Sequence, residues 1–262
     1  MIALPLTQAL AGGASGSLVG FTLGLVGGGG SILAVPLLIH GVGVASPHVA
    51  IGTAAVAVAL NAAFGAWAQA RAGLVRWPCA SVFAGAGMIG AFAGAQAAKA
   101  VDGQMLLALF SLLMMAVAVL MFRRQEPAQA PTPRLSRDNA PALLAAGLGV
   151  GLLAGFFGIG GGFLVVPGLL WATGMPLPMA VGSSLVAVAA FGLTTAASYA
   201  WAGLIDWPLA LVFVAGGALG SLFGARLGRR LAARRRALGR LLAAVIMLVG
   251  AYTFVLALMR LA

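Results

Sequence analysis

The run Val26-Gly27-Gly28-Gly29-Gly30-Ser31-Ile32-Leu33-Ala34-Val35-Pro36 returns 131 residues later, Pro36 to Pro167, as Phe157-Gly158-Ile159-Gly160-Gly161-Gly162-Phe163-Leu164-Val165-Val166-Pro167. Consecutive glycines weaken a helix and permit backbone conformations that a Cβ resists. Each run therefore reads as a break within a long apolar segment. Outward from the breaks the correspondence continues with a one-residue slip. Ala50, Gly52 and Thr53 match Ala180, Gly182 and Ser183; Ala72-Gly73-Leu74 matches Ala202-Gly203-Leu204. Trp77-Pro78 matches Trp207-Pro208, and Gly87, Gly90 and Gly94 match Gly217, Gly220 and Gly224. Chance can align glycines with glycines, but not Pro36 with Pro167 and Trp-Pro with Trp-Pro at nearly constant spacing. The chain reads as a duplicated unit.

Composition says what kind of unit. Of 262 residues, 62% are hydrophobic and 7% charged, with a mean hydropathy of +1.10. Soluble domains carry about 25% charge, so there is too little here to cover a water-facing surface. The expected fold is an all-α polytopic membrane protein. Its apolar segments run approximately over 4–38, 49–70, 78–98, 105–122, 142–171, 179–200, 209–227 and 241–258. The polar stretch 123–139, with four arginines and three prolines, reads as an aqueous linker between a first unit at 1–122 and a second at 140–262. A net charge of +11 would suggest nucleic acid on a soluble surface. Here the arginines lie in short connections between apolar runs, which points to membrane orientation and anionic lipid contact, with no nucleic-acid partner. No basic residue precedes Arg71, so a cleaved signal peptide is not expected. The single cysteine, Cys79, excludes an intrachain disulfide.

Charge placement orients the units. Eight simple crossings would divide the fifteen basic residues seven against eight. If 4–38 and 142–171 each enter and leave on one side, thirteen become cytoplasmic and only Lys99 and Arg260 lie outside. Each unit then consists of a Gly-broken N-terminal hairpin plus three transmembrane helices. That is an odd number of crossings after an even hairpin, so the second unit is inverted relative to the first, and both termini face out.

In hydrocarbon a broken helix survives only where protein or a polar cavity covers its freed backbone groups. Two such breaks near mid-membrane can present helix N-termini, which favour anions, to one cavity. The competing reading is that the glycines only let helices pack closely. Neither run is a nucleotide loop: no Lys-Ser or Lys-Thr follows, and the first acid is Asp102. The candidate cavity residues are Gly27, Gly28, Gly29, Gly30, Ser31 and Pro36 in the first unit, and Gly158, Gly160, Gly161, Gly162 and Pro167 in the second. His48, Thr53, Asn61, Ser183 and Ser184 join them as uncharged polar groups near or within apolar helices. Hydroxyls there can cap helices or hydrogen-bond an oxyanion. Asn61 carries most information, because an amide in hydrocarbon needs partners. Gln69, Thr194, Thr195 and Tyr199 are further intrahelical polar groups. His48 could carry a proton, yet His40 and His48 lack acidic or cysteine neighbours, so no metal site is expected. Arg226 is a candidate anion-attracting gate. The five tryptophans sit at segment ends as an interface belt. No carboxylate sits in a strongly apolar segment and no nucleophile–base arrangement stands out, so an enzyme is not expected and no cofactor is implied.

Gly-x-Gly-Gly-Gly before Pro167, its degenerate copy before Pro36, and the duplicated Ala-Gly-Leu and Trp-Pro segments resemble the TauE/SafE family over essentially the whole chain. The resemblance implies a multi-pass permease of the bacterial inner membrane for small anions such as sulfite, sulfoacetate or other organosulfonates. It leaves room for a homo-oligomer. Gly28 at the Ile159 position and Ser31 at the Gly162 position argue against a strictly two-fold substrate site. A non-transporting membrane assembly or scaffold protein is the alternative from another class.

Overall fold

A computed structural model describes residues 5–26, 28–123, 139–230 and 235–261. Most of the expected linker, and Gly27, lie outside them. Most of the described residues are helical, and none is in a strand.

In the first half, α1 (Leu6–Val26) is followed by a 3₁₀ turn over Gly28–Leu33, the short α2 (Ala34–Pro36) and a π-helical turn over Leu37–Gly41. Then come α3 (Pro47–Arg71), α4 (Trp77–Lys99) and α5 (Gly103–Arg123). The second half repeats the order with a cleaner break: α6 (Ala140–Phe157), α7 (Gly162–Thr173), α8 (Leu177–Trp201), α9 (Trp207–Arg230) and α10 (Arg235–Leu261). Among the described residues, seven helices are long and apolar enough to cross a membrane: α3, α4, α5, α6, α8, α9 and α10. The 12 residues of α7 span roughly 18 Å, too short for a crossing. As the apolar pattern does not foresee, α9 runs on to Arg230 and α10 begins at Arg235, both within the arginine-rich stretch 226–240.

Close backbone packing holds the bundle, and its contacts come in pairs with the halves exchanged. A Cβ built at Gly16 or Gly20 of α1 would strike Phe213 or Gly217 of α9, and one at Gly147 or Gly151 of α6 would strike Phe83 or Gly87 of α4. Likewise Gly220 and Gly224 meet Ser17 and Phe21, while Gly90 and Gly94 meet Leu148 and Leu152. Each half thus lends its first helix to the other. Lipid tails are as apolar as leucine, so helix association here depends on van der Waals contact, and small residues permit it. The large side chains left outside, such as Ile89, Leu211, Leu222, Phe223 and Leu248, are exposed, as a lipid-facing surface requires. So are all five tryptophans at the helix ends.

At the centre α3 and α8 pack against each other running in opposite directions. Gly52 meets Tyr199 and Leu204, Gly192 meets Ala59, and Gly182 meets Leu74. This places the start of α3 with the end of α8 at one end of the bundle, called end A. The end of α4 at Lys99 and the loops carrying Asp102 and Asp206 lie there. Arg71, Arg76 and the start of α8 lie at the opposite end B. Both arms of the α6–α7 hairpin open at end B, and the α1 hairpin opens at end A.

Candidate functional site

The second glycine turn is the better formed. Gly158, Gly160 and Gly161 all adopt left-handed backbone conformations, with φ of 67°, 63° and 66°. Such angles are routine only for glycine, which is why the sequence places three glycines there. The turn reverses α6 into α7, and the Gly161 carbonyl accepts from both Leu164 N–H and Val165 N–H at 2.8 Å. Pro167 sits inside α7. The first copy solves the same problem without positive φ among its described residues, winding through the 3₁₀ turn into α2 with Pro36 buried. Gly30 presses on Thr22 and Leu23 of α1, and Ser31 is fully buried. The two copies differ here although Gly160 and Gly161 correspond to glycines, Gly29 and Gly30.

The two turns meet. The 3₁₀ turn at Gly28–Leu33 touches α7, and both touch α8. Gly160 lies over the α3–α8 crossing, its missing Cβ 2.9 Å from Val58 Cγ1 and 2.9 Å from Val188 Cγ1. Val58 and Val188 occupy corresponding positions in the two halves. Gly158 abuts Ile51 of α3. The expected open cavity between the breaks is therefore filled by side chains. A small cavity of about 10 Å³ lies elsewhere, lined by His40, Gln104, Leu107, Thr253, Leu256 and Ala257, with room for about one water.

The hydroxyl candidates are engaged within the protein. Thr53 Oγ1 accepts from the Asp206 N–H at 3.1 Å, and Ser183 Oγ accepts from the Arg76 N–H at 2.9 Å. These bonds are one another's counterparts: each half's α3 or α8 hydroxyl caps the approach to the other half's Trp-Pro helix. Ser184 Oγ donates back to Val181 O at 2.8 Å. His48 Nε2 lies 3.2 Å from Ala98 O, satisfying a carbonyl at the end of α4. Neither hydroxyl caps its own helix, whose N-cap in α3 is Ser46; both are instead occupied by backbone N–H groups of the opposite half. Thr53→Val and Ser183→Ala should each cost about 1 kcal/mol, and the double variant about 2 kcal/mol because the sites lie at opposite ends. Thermal unfolding in detergent measures both, and a non-additive double variant would show that the two ends communicate.

Asn61 is different. It is 3% exposed, and its Oδ1 is buried without a hydrogen-bond partner. It fills a notch made by Gly217 of α9, as Phe191 fills the notch made by Gly87 of α4. Position 61 thus carries an amide where the other half carries a phenyl ring. Asn61 lies one turn along α3 from Val58, beside the crossing on which Gly160 rests. Arg226 is exposed on α9 toward end B. Sequence reasoning passed over Asp206, which occupies the position of Arg76 in the other half. The signal was the contrast between Val75-Arg76-Trp77-Pro78 and Ile205-Asp206-Trp207-Pro208. No group of three or more metal-ligating side chains occurs among the described residues.

Comparison with known proteins places the chain among membrane transporters. The family model "Sulfite exporter TauE/SafE" matches residues 13–253. A "Probable membrane transporter protein" of Xylella fastidiosa (strain 9a5c) is 47% identical over 244 residues, covering 91% of this chain and 92% of the relative. In Bacillus subtilis (strain 168), "Probable membrane transporter protein YdhB" is 26% identical, covering 80% of this chain and 86% of the relative. "Probable membrane transporter protein YunE" of the same organism is 25% identical over 80% of this chain and 85% of the relative. No solved structure matches significantly. The chain is a multi-pass membrane transporter and belongs to the TauE/SafE sulfite exporter family.

Proposed function

We propose that the protein is a secondary transporter of small anions, sulfite or organosulfonates, in a bacterial inner membrane, with its site beside the α3–α8 crossing. The observation that carries the reading is Asn61: a buried amide with an unpartnered oxygen, within one turn of the place where the glycine turn seats. An orphaned buried polar group costs about 1–3 kcal/mol, a cost that a bound ligand supplying its missing partner would offset. Rotating the amide exchanges its oxygen and nitrogen, so the same position can offer an N–H to an anion. Uncharged donors and helix N-termini suit a small oxyanion without burying a fixed cation against it.

The two units, 1–122 and 140–262 about the linker, are inverted repeats in this proposal. Its supports are the antiparallel α3 and α8, the exchanged glycine contacts and the hairpins opening at opposite ends. End B, with Arg71, Arg76 and Arg226, faces the cytoplasm. Inverted halves around a shared site provide a geometry for alternating access, and the filled crossing is then an occluded state.

Reconstituted protein should move labelled sulfite or methanesulfonate down an imposed gradient. Asn61→Leu should leave the unfolding temperature unchanged or raised, because an orphaned group is removed, while flux falls roughly tenfold or more. A variant that loses stability and flux together would assign Asn61 to packing. No flux across a broad anion panel by folded wild-type protein would favour the assembly or scaffold reading.

A further inference from the structure

Where α4 and α8 finish at end A, the chain's one lysine meets a column of hydroxyls. Lys99 Nζ donates to Ser198 Oγ at 3.0 Å and to Ser198 O at 3.3 Å, and lies 5.9 Å from the ring centroid of Tyr199. Tyr199 is wholly buried and its phenolic oxygen has no partner. Thr195, 1% exposed and one helical turn deeper on the same face of α8, also has an unpartnered hydroxyl. Long side chains on a helix lean toward its N-terminus. Tyr199 therefore leans inward from the lysine toward Thr195.

Nothing within the described protein neutralises Lys99. The carboxylates nearest in the chain at this end serve as helix caps: Asp102 Oδ1 accepts from Gln104 N–H and Met105 N–H, and Asp206 Oδ1 accepts from Leu209 N–H. His48, on the Ala98 carbonyl beside Lys99, adds no acceptor charge. The arrangement is also one-sided. The corresponding positions in the other half hold Arg229, Ala68, Gln69 and Gly65, a set without a hydroxyl.

We propose that Lys99, Ser198, Tyr199 and Thr195 form an entry subsite for a small oxyanion at end A. An ammonium has three donors, of which Ser198 engages two, and the two orphaned hydroxyls can each donate. The ammonium supplies charge complementarity at the boundary of the bundle, and the hydroxyls continue the path inward after the charge has been left behind. The chemical class is a compact anion with several oxygens on one centre, such as sulfite or the head of a sulfonate. For its substrate class the subsite rests on the transport reading above; its binding chemistry does not.

The experiment measures equilibrium binding of labelled sulfite to purified full-length protein, and flux into right-side-out and inside-out vesicles, each corrected with vesicles lacking the protein. The variants are Lys99→Gln, Lys99→Arg and Tyr199→Phe. Lys99→Gln should weaken binding and raise the KM from the end A side about tenfold, with KM from end B and maximal flux little changed. Lys99→Arg should restore most of the loss, and Tyr199→Phe should show a smaller loss with the fold intact. Flux with unchanged binding and unchanged KM on both sides in Lys99→Gln and Tyr199→Phe overturns the subsite and leaves the transport reading standing. Binding that depends on Lys99, without flux in the wild type, keeps the subsite and overturns transport. Neither binding nor flux in folded wild type overturns both.

Discussion

Gly151→Val is expected to unfold the α4–α6 pair outright. A Cβ at Gly151 meets the Gly87 backbone, and a backbone cannot rotate away as a side-chain tip can. The neighbours in the same stack, Gly147 against Phe83 and Gly155 against Ala91, are equally closed, so the helix cannot slip by one turn to escape. Overpacking a tight core commonly costs 1–3 kcal/mol, and here relief requires moving whole helices, so a loss of about 3 kcal/mol or more is expected. Gly149 lies on the same helix, and a Cβ there meets nothing within 4 Å. Gly149→Ala should be neutral or stabilising by up to about 1 kcal/mol. The pair of variants, compared by thermal unfolding and by the fraction of monodisperse protein in detergent, separates helix propensity from packing within one helix. Equal stability of the two would contradict the close α4–α6 contact.

The same contrast explains what the sequence disclosed and what it withheld. Duplication was legible because Pro36 with Pro167 and Trp77-Pro78 with Trp207-Pro208 are rare residues at nearly constant spacing. The membrane class was legible from the missing charge, and the hairpins from segments too long for one crossing and too short for two. Partnering was not legible. Glycine at positions 90, 94, 220 and 224 announces close packing but not that each unit's fourth helix takes the other unit's first helix, because the complementary surface consists of ordinary backbone. Thr53 and Ser183 were readable as polar groups near helix starts, yet their actual partners are backbone N–H groups more than 100 residues away. Asn61 stood out as an amide in an apolar run. That its counterpart Phe191 occupies the matching notch emerges only once the helices are placed. Lys99 looked like an orientation signal, and the hydroxyls of Thr195 and Tyr199 became informative only when both proved buried without partners.

Gly160→Ala should separate transport from folding more sharply than any other glycine substitution. An L-residue at φ 63° is strained by about 1–2 kcal/mol. The new methyl would also lie 2.9 Å from the ends of two valine side chains, Val58 and Val188, which face each other across the α3–α8 crossing. These are side-chain ends, so they can shift by a few tenths of an ångström, and the folded population should survive with a lowered unfolding temperature. In the proposed alternating-access cycle, passage between states is more demanding, because the crossing is where the two halves would move past each other. A methyl wedged there should reduce flux at least as strongly as Asn61→Leu does. Val188→Ala in the same chain removes one of the two collisions, leaving Val58 and the backbone strain, so the double variant should recover part of the stability and part of the flux. If stability and flux instead fall and recover in proportion across Gly160→Ala, Val188→Ala and the double variant, the glycine turn acts only as packing, and the anion path must be sought away from the crossing. Flux that stays low while stability recovers places the restriction at the backbone of the turn itself, where the left-handed conformation permits the reversal from α6 into α7.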